Sequence, residues 1–244
     1  MEGHVGEGAD QAAGQRVLSP QTLLDADLAI FDLDGTLIDS KRDLVLSVNA
    51  TLAHMDRAEL SEDTISTYVG NGAPVLIQRA LGDGASQADV DRALGYFLGY
   101  YKVHKLDNTR LYDGVQEALD RLRGADVQLA ILTNKPVGAS NGIVSGLGLD
   151  GYFLRVYGGN SFAAKKPDPI GIETLLADSG AARERTVMVG DSYVDIETAR
   201  NAGVAACGVI YGFQPDSFHR AAPDLVFTDL REFAELVIDA RRLR

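Results

Sequence analysis

The sequence predicts an α/β protein: a doubly wound parallel sheet interrupted by one all-helical insertion. Three observations carry this expectation. Short runs rich in Val, Ile and Leu recur at 28–31, 127–132, 187–189, 204–210 and 225–227. Stretches with helical periodicity lie between most of them, and such alternation implies a parallel sheet covered on both faces. Residues 41–104 contain no strand-like run, which marks them as an insertion after the first strand.

Taken in order, residues 1–24 are Gly- and Ala-rich and polar, and they predict a flexible tail. They lack the basic start and apolar middle of a signal peptide. The run at 28–31 predicts the first strand. Within the insertion, Leu44, Val48, Leu52 and Met55 recur at helical spacing, as do Val90, Leu94, Phe97 and Tyr101. Gly70-Asn71-Gly72 and Gly82-Asp83-Gly84 predict loops between those helices. Val115, Ala118, Leu119 and Leu122 share one helix face, and Ile196, Ala199 and Ala202 share another. The expected organisation is a tail (1–24), a core domain (25–40 and 105–244) and a helical domain (41–104). Two chain crossings, near 38–43 and 105–111, predict hinges on which the helical domain moves as a unit.

A chain of 244 residues, 45% hydrophobic and 24% charged, builds a full core without disulfides or structural metals. Its 35 acids against 23 bases give a net charge of −12. That excludes a basic footprint for nucleic acid and disfavours anionic lipid. The single cysteine, Cys207, sits in an apolar run and reads as a core residue. No apolar stretch approaches the length of a membrane span. A cytoplasmic monomer or homodimer with neither nucleic acid nor membrane as partner is expected. Residues 25–40 hold five Asp and no base, an unusual load on a strongly apolar window.

In an open α/β sheet, ligands bind at the carboxyl ends of the strands. There the sequence places Asp32-Leu33-Asp34-Gly35-Thr36, Thr133-Asn134-Lys135, and Gly190-Asp191-Ser192 with Asp195 one helical turn on. Lys165-Lys166-Pro167 lies in the connection before the third of these. Asp32 and Asp34 alternate on one face of an extended chain. With Asp191 and Asp195 they form a group of like charges that requires a cation or raised pKa values. Hard oxygen donors with no nearby His or Cys favour Mg²⁺, which suits a substrate phosphate. Thr133, Asn134 and Lys166 supply donors and positive charge for phosphoryl oxygens. Asp25, Asp27 and Asp39 flank the motif with no assignable role.

These motifs, in this order, resemble those of the haloacid dehalogenase-like hydrolases. Tyr68-Val69-Gly70-Asn71-Gly72-Ala73-Pro74, Leu132-Thr133-Asn134-Lys135-Pro136 and Tyr211-Gly212-Phe213 resemble the phosphoglycolate phosphatase branch more narrowly. The resemblance covers roughly residues 25–240. It implies a Rossmann-like core with the helical insertion as a cap, and hydrolysis of a small phosphorylated metabolite, 2-phosphoglycolate first among them. It implies Asp32 as nucleophile, forming an aspartyl-phosphate, and Asp34 as general acid and base. Mg²⁺ is expected on Asp32, the Asp34 main-chain carbonyl and Asp191, with Asp195 in its outer shell. Gly35, Thr133, Asn134 and Lys166 are expected around the phosphate, Thr133 and Lys166 in catalytic roles. Gly70, Asn71, Gly72 and Arg79 are candidates for substrate selection.

Other readings remain open at this stage. A phosphatase for a sugar phosphate, pyrophosphate or secondary-metabolite phosphate fits the same motifs. A sugar phosphomutase would also use both aspartates. A phosphate-sensing interaction protein predicts loss of an essential group, and none is lost.

Overall fold

The computed structural model describes residues 25–243; the expected tail at 1–24 lies outside the described residues. Six parallel strands form one sheet: β1 (Leu28–Phe31), β4 (Gln128–Leu132), β5 (Arg155–Tyr157), β6 (Thr186–Gly190), β7 (Ala205–Val209) and β8 (Leu225–Phe227). Their spatial order is β5-β4-β1-β6-β7-β8. Ala29 and Phe31 face one side with Leu129, Ile131, Val187 and Val189, while Leu28 and Ile30 face the other with Ala130, Leu132 and Met188. Both faces are buried, which is why these strands are continuous apolar runs. The register sets Phe31 between Ile131 and Val189.

Helices α5 (Val115–Gly124) and α9 (Leu230–Arg242) cover the Phe31 face, and Phe233 meets Phe31 edge-on at 6.0 Å. Helices α7 (Ile170–Ser179) and α8 (Tyr193–Ala202) cover the other through Ile172, Leu175, Ile196 and Ala199. Helix α6 (Val137–Gly146) follows β4. The strand β5 has no counterpart among the sequence expectations. It is a three-residue edge strand whose residues stay exposed or half-buried, so it carries no apolar run.

Residues 41–104 form four helices and no strand: α1 (Lys41–His54), α2 (Glu62–Ser66), α3 (Ala73–Leu81) and α4 (Gln87–His104). Ser61 and Ser86 cap α2 and α4, their hydroxyls accepting from Thr64 and Asp89 main-chain N–H. Helix α1 packs along α4, burying Leu44, Val48 and Leu52 against Val90, Ala93 and Phe97. The two crossings pair as a short antiparallel ribbon, β2 (Ile38–Asp39) with β3 (Arg110–Leu111). Buried Asp43 fastens them further. It accepts from the main-chain N–H of Asn108 and Thr109 and from both their side chains, at 2.7–3.0 Å, and these bonds lower its pKa against the burial that would raise it.

The flanking acids have structural partners. Asp27 accepts from Arg185 Nη2 at 2.7 Å and Arg241 Nη1 at 2.6 Å. Asp39 pairs with Arg110 at 3.1 Å. Cys207 is fully buried, and burial raises its thiol pKa.

Candidate active site

The chain enters the insertion from β1 and returns into β4, then crosses to β6 on the opposite side of β1. The carboxyl ends of β1, β4 and β6 therefore open a crevice where the strand order reverses. Asp32 N–H still donates to Val189 O at 2.9 Å as the chain leaves β1. Gly35 then turns with φ +82°, and a Cβ there would stand 2.2 Å from Asp191 Oδ2. Only glycine lets the loop after β1 close onto the loop after β6.

Asp191 Oδ2 accepts from the main-chain N–H of Phe213 at 2.6 Å and Gln214 at 3.3 Å. Ser192 begins α8, and Asp195 completes a capping box, its Oδ2 accepting from Ser192 N–H and Oγ at 3.1 and 2.7 Å. Asp195 Oδ1 accepts from Lys166 Nζ at 2.6 Å. The same ammonium lies 2.9 Å from Asp32 Oδ1. Asp32, Asp191 and Asp195, all buried, present oxygens within 4.8 Å of one another, and the Lys166 ammonium pairs with two of the three.

Three carboxylates against one ammonium leave surplus negative charge out of water. Burial pushes the Asp32 carboxyl up to about 6, with Lys166 opposing and Asp195 reinforcing the rise. Burial, then Asp195 and Asp32, raise Asp191 well above the ordinary carboxylate range. The donor set fits a hard dication. Both oxygens of Asp195 are engaged by Lys166 and Ser192. Oδ2 of Asp32 and Oδ1 of Asp191 have no protein hydrogen bond among the described residues, so these two are the available ligands.

The Asp34 side chain stands apart from this cluster. Lys135 Nζ donates to both its oxygens at 2.8 Å, and Ser40 Oγ donates to Oδ1 at 2.5 Å. Lys135 is itself buried, its ammonium 4.6 Å from the centre of the Tyr101 ring on α4. Asp34 lines two spaces. One is a narrow mouth shared with Asp191, Ser192, Val69 and Gly70. The other is a cleft of about 360 Å³ between the insertion and α6.

Thr133 is buried at the end of β4, its hydroxyl accepting from Lys135 N–H at 3.3 Å. Asn134 is oriented differently from a phosphate donor. Its amide nitrogen donates to Gly70 O at 2.9 Å and Lys166 O at 3.1 Å, and its buried Oδ1 has no partner. The two carbonyls fix which end of the amide is nitrogen. The four selection candidates divide. Gly70 and Gly72 line the cleft beside Asp34. Asn71 and exposed Arg79 line a separate groove of about 480 Å³ with Tyr193 and Arg220. Arg79 donates to Tyr68 O at 3.5 Å, at the limit of a hydrogen bond.

The structure also brings in residues without sequence assignments: Ser40, Tyr101, Lys135 and Gln214. Gln214 Nε2 lies 2.8–3.2 Å from the carbonyls of Ser66, Thr67 and Val69. Lys165 Nζ donates to Asn71 O at 2.6 Å. With Asn134, three core side chains thus hold the carbonyls of one insertion loop. Lys135 had a signal, since it directly follows two strand-end polar residues.

Comparison with known proteins follows the same lines. The model for haloacid dehalogenase-like hydrolases matches residues 29–209. A phosphoglycolate phosphatase of Colwellia psychrerythraea is 39% identical over 227 residues, covering 90% of this chain and 99% of that protein. One from Agrobacterium fabrum is 38% identical over 205 residues, covering 83% and 88%. Among solved structures, a "predicted phosphoglycolate phosphatase" from Haemophilus somnus matches with a TM-score of 0.82 at 33% identity, covering 87% of this chain and 98% of that one.

Proposed function

The chain belongs to the haloacid dehalogenase-like hydrolases, and from that premise we propose that it is a Mg²⁺-dependent phosphatase of small phosphomonoesters, with 2-phosphoglycolate the first substrate to test. The observation that carries this is the surplus of buried carboxylates, Asp32, Asp191 and Asp195 together, of which Lys166 pairs with Asp32 and Asp195. The curated relatives' names support the phosphoglycolate assignment. The net charge of −12 supports a protein with no nucleic-acid or anionic-membrane partner. No described helix is long and apolar enough to cross a membrane. We further propose a cytoplasmic location and a monomer or homodimer.

The residues divide the work as follows. Asp32 attacks phosphorus as the ester P–O bond breaks, giving an aspartyl-phosphate. Asp34 gives its proton to the departing alkoxide, then takes one from the water that hydrolyses the intermediate. Its place between the carboxylate cluster and the apolar cleft supports that role, because it touches both the phosphoryl side and the leaving-group side. Asp32, Asp191 and the Asp34 main-chain carbonyl would hold Mg²⁺, which would supply the positive charge that lets two anions approach. Lys166 stabilises the transferring phosphoryl group, and Asp195 holds Lys166 in place. Gly35 and Thr133 border the phosphate, Thr133 through its hydroxyl. Asn134 positions the insertion loop and the Lys166 backbone. Residues 41–104 act as a cap over 25–40 and 105–244, closing through Asn134, Lys165 and Gln214. Among the selection candidates, Gly70 and Gly72 shape the cleft, while Asn71 and Arg79 serve the separate groove.

The test is phosphate release from p-nitrophenyl phosphate and 2-phosphoglycolate with and without Mg²⁺. Wild type is expected to turn over only with Mg²⁺, and Asp32→Asn is expected to lose on the order of 10⁴-fold or more in kcat. No turnover by wild type, or full turnover by Asp32→Asn, overturns the reading.

A further inference from the structure

The cleft beside Asp34 is built for more than a two-carbon leaving group. At about 360 Å³ it falls within the ~300–1,000 Å³ range of pockets that enclose drug-sized ligands. Its walls are apolar: Val69, Ala73 and Leu76 from the cap loop and α3, Phe97 and Leu98 from α4, Ala139 from α6. Leu98 is 41% exposed, an apolar surface with nothing packed on it.

The charges are placed unevenly along this cleft. Phe97, Leu98, Tyr101, Lys102 and Lys105 recur at helical spacing on one face of α4 and its end. Lys135, at the Asp34 end, is spent on both Asp34 oxygens. Lys102 and Lys105 form no ion pair with any described residue. Lys105 donates only to the Lys102 carbonyl, at 2.9 Å, and a lysine ammonium has three protons to give. Two unpaired cations therefore stand with an apolar wall between the phosphoryl site and solvent. A glycolate carboxylate is only two bonds from the ester oxygen and so would use little of the apolar wall that these lysines border.

Resting on the phosphatase reading above, we propose that the preferred substrate is the phosphate monoester of a hydroxy acid longer than glycolate. Its apolar body lies along α4, and its terminal carboxylate reaches Lys102 and Lys105. The reaction is the same hydrolysis. Water is consumed, the ester P–O bond breaks, and the free hydroxy acid and inorganic phosphate leave.

The experiment measures kcat/KM for 2-phosphoglycolate and for the ω-phosphonooxy acids from propanoate to octanoate. Unbranched alkyl phosphates of matched length serve as counterparts that lack the carboxylate. The expected result is an optimum at a longer acid, with each such acid preferred over its alkyl counterpart. In Lys102→Met/Lys105→Met that preference ratio falls about tenfold or more, through KM. Gly138 lines the cleft from α6 with open space at its Cβ position, so Gly138→Leu fills it and moves the optimum toward shorter acids. An optimum at 2-phosphoglycolate, or a preference ratio indifferent to the two lysines, overturns the proposal while leaving the phosphatase reading intact. Turnover of no phosphate ester at all overturns both.

Discussion

Asp32 and Asp34 are two residues apart in the core, and their side chains face different halves of the molecule. Asp32 is held wholly by the core, among Asp191 just beyond β6, Asp195 in the first turn of α8 and Lys166 in the loop before α7. Asp34 is held by a core lysine and Ser40, but its open side faces the cap. The core half is assembled from main-chain hydrogen bonds, a capping box and a glycine contact, none of which involves residues 41–104. The cleft half is walled by α3 and α4 and changes with their side chains. On the proposed mechanism, phosphoryl chemistry and choice of leaving group are separable in this fold, and the division runs between two carboxylates on one loop.

The largest expected effect tests that division directly. Asp34→Asn should slow leaving-group release about 10²–10⁴-fold for an alkyl phosphate. In that first step the loss should be markedly smaller for p-nitrophenyl phosphate, whose leaving group needs no proton, whereas hydrolysis of the shared intermediate should slow equally for both. Single-turnover release from both esters measures this, and equal losses in that first step would erase the distinction between the two aspartates.

A second measurement probes the core half alone. The Asp32 carboxyl is pushed from 3.8 up to about 6, and Asp191 is raised as well. In that window the folded chain holds protons that the unfolded chain has released. Metal-free stability should therefore fall as pH rises from about 4 through about 6. Mg²⁺ opposes this charge repulsion, so its stabilisation should be several degrees larger near neutral pH than at about pH 4.5. Thermal melts with and without Mg²⁺ read the difference, and an equal shift at both pH values would remove the cluster as the metal's site.

The smallest effect concerns the cap. Gln214→Ala removes the amide that bonds three carbonyls of the cap loop. It should cost about 1 kcal/mol of stability and raise KM a few-fold, with kcat changed less. A larger fall in kcat than rise in KM would mean that Gln214 serves the Asp191 side instead.

Much of this was legible in the sequence, for a physical reason. Strands β1, β4, β6 and β7 are buried on both faces, so each appears as an apolar run, and the polar residues at their ends stand out against it. The strand β5 is exposed along one edge and leaves no such trace. The pairing of Lys135 with Asp34 joins positions 101 residues apart, and no local spacing indicates it. Asn134 looks like a phosphate donor by residue type, but loop geometry turns its nitrogen toward two carbonyls. The groove that Arg79 lines was illegible for a similar reason. On α3, Ala73 and Leu76 turn inward, while Arg79 falls on the exposed side toward another groove.

Asp27 has a practical bearing. By gripping Arg185 at the start of β6 and Arg241 in the last helix, it gathers both ends of the described chain at the amino edge of the sheet. The crevice opens at the opposite edge. An affinity handle, a fluorophore or a solid support attached beside either described end, at Asp25 or Leu243, would start from the back of the enzyme, away from its entrance. The weak point of such a device would be Arg241, because losing it would leave Asp27 held by Arg185 alone of the two arginines named.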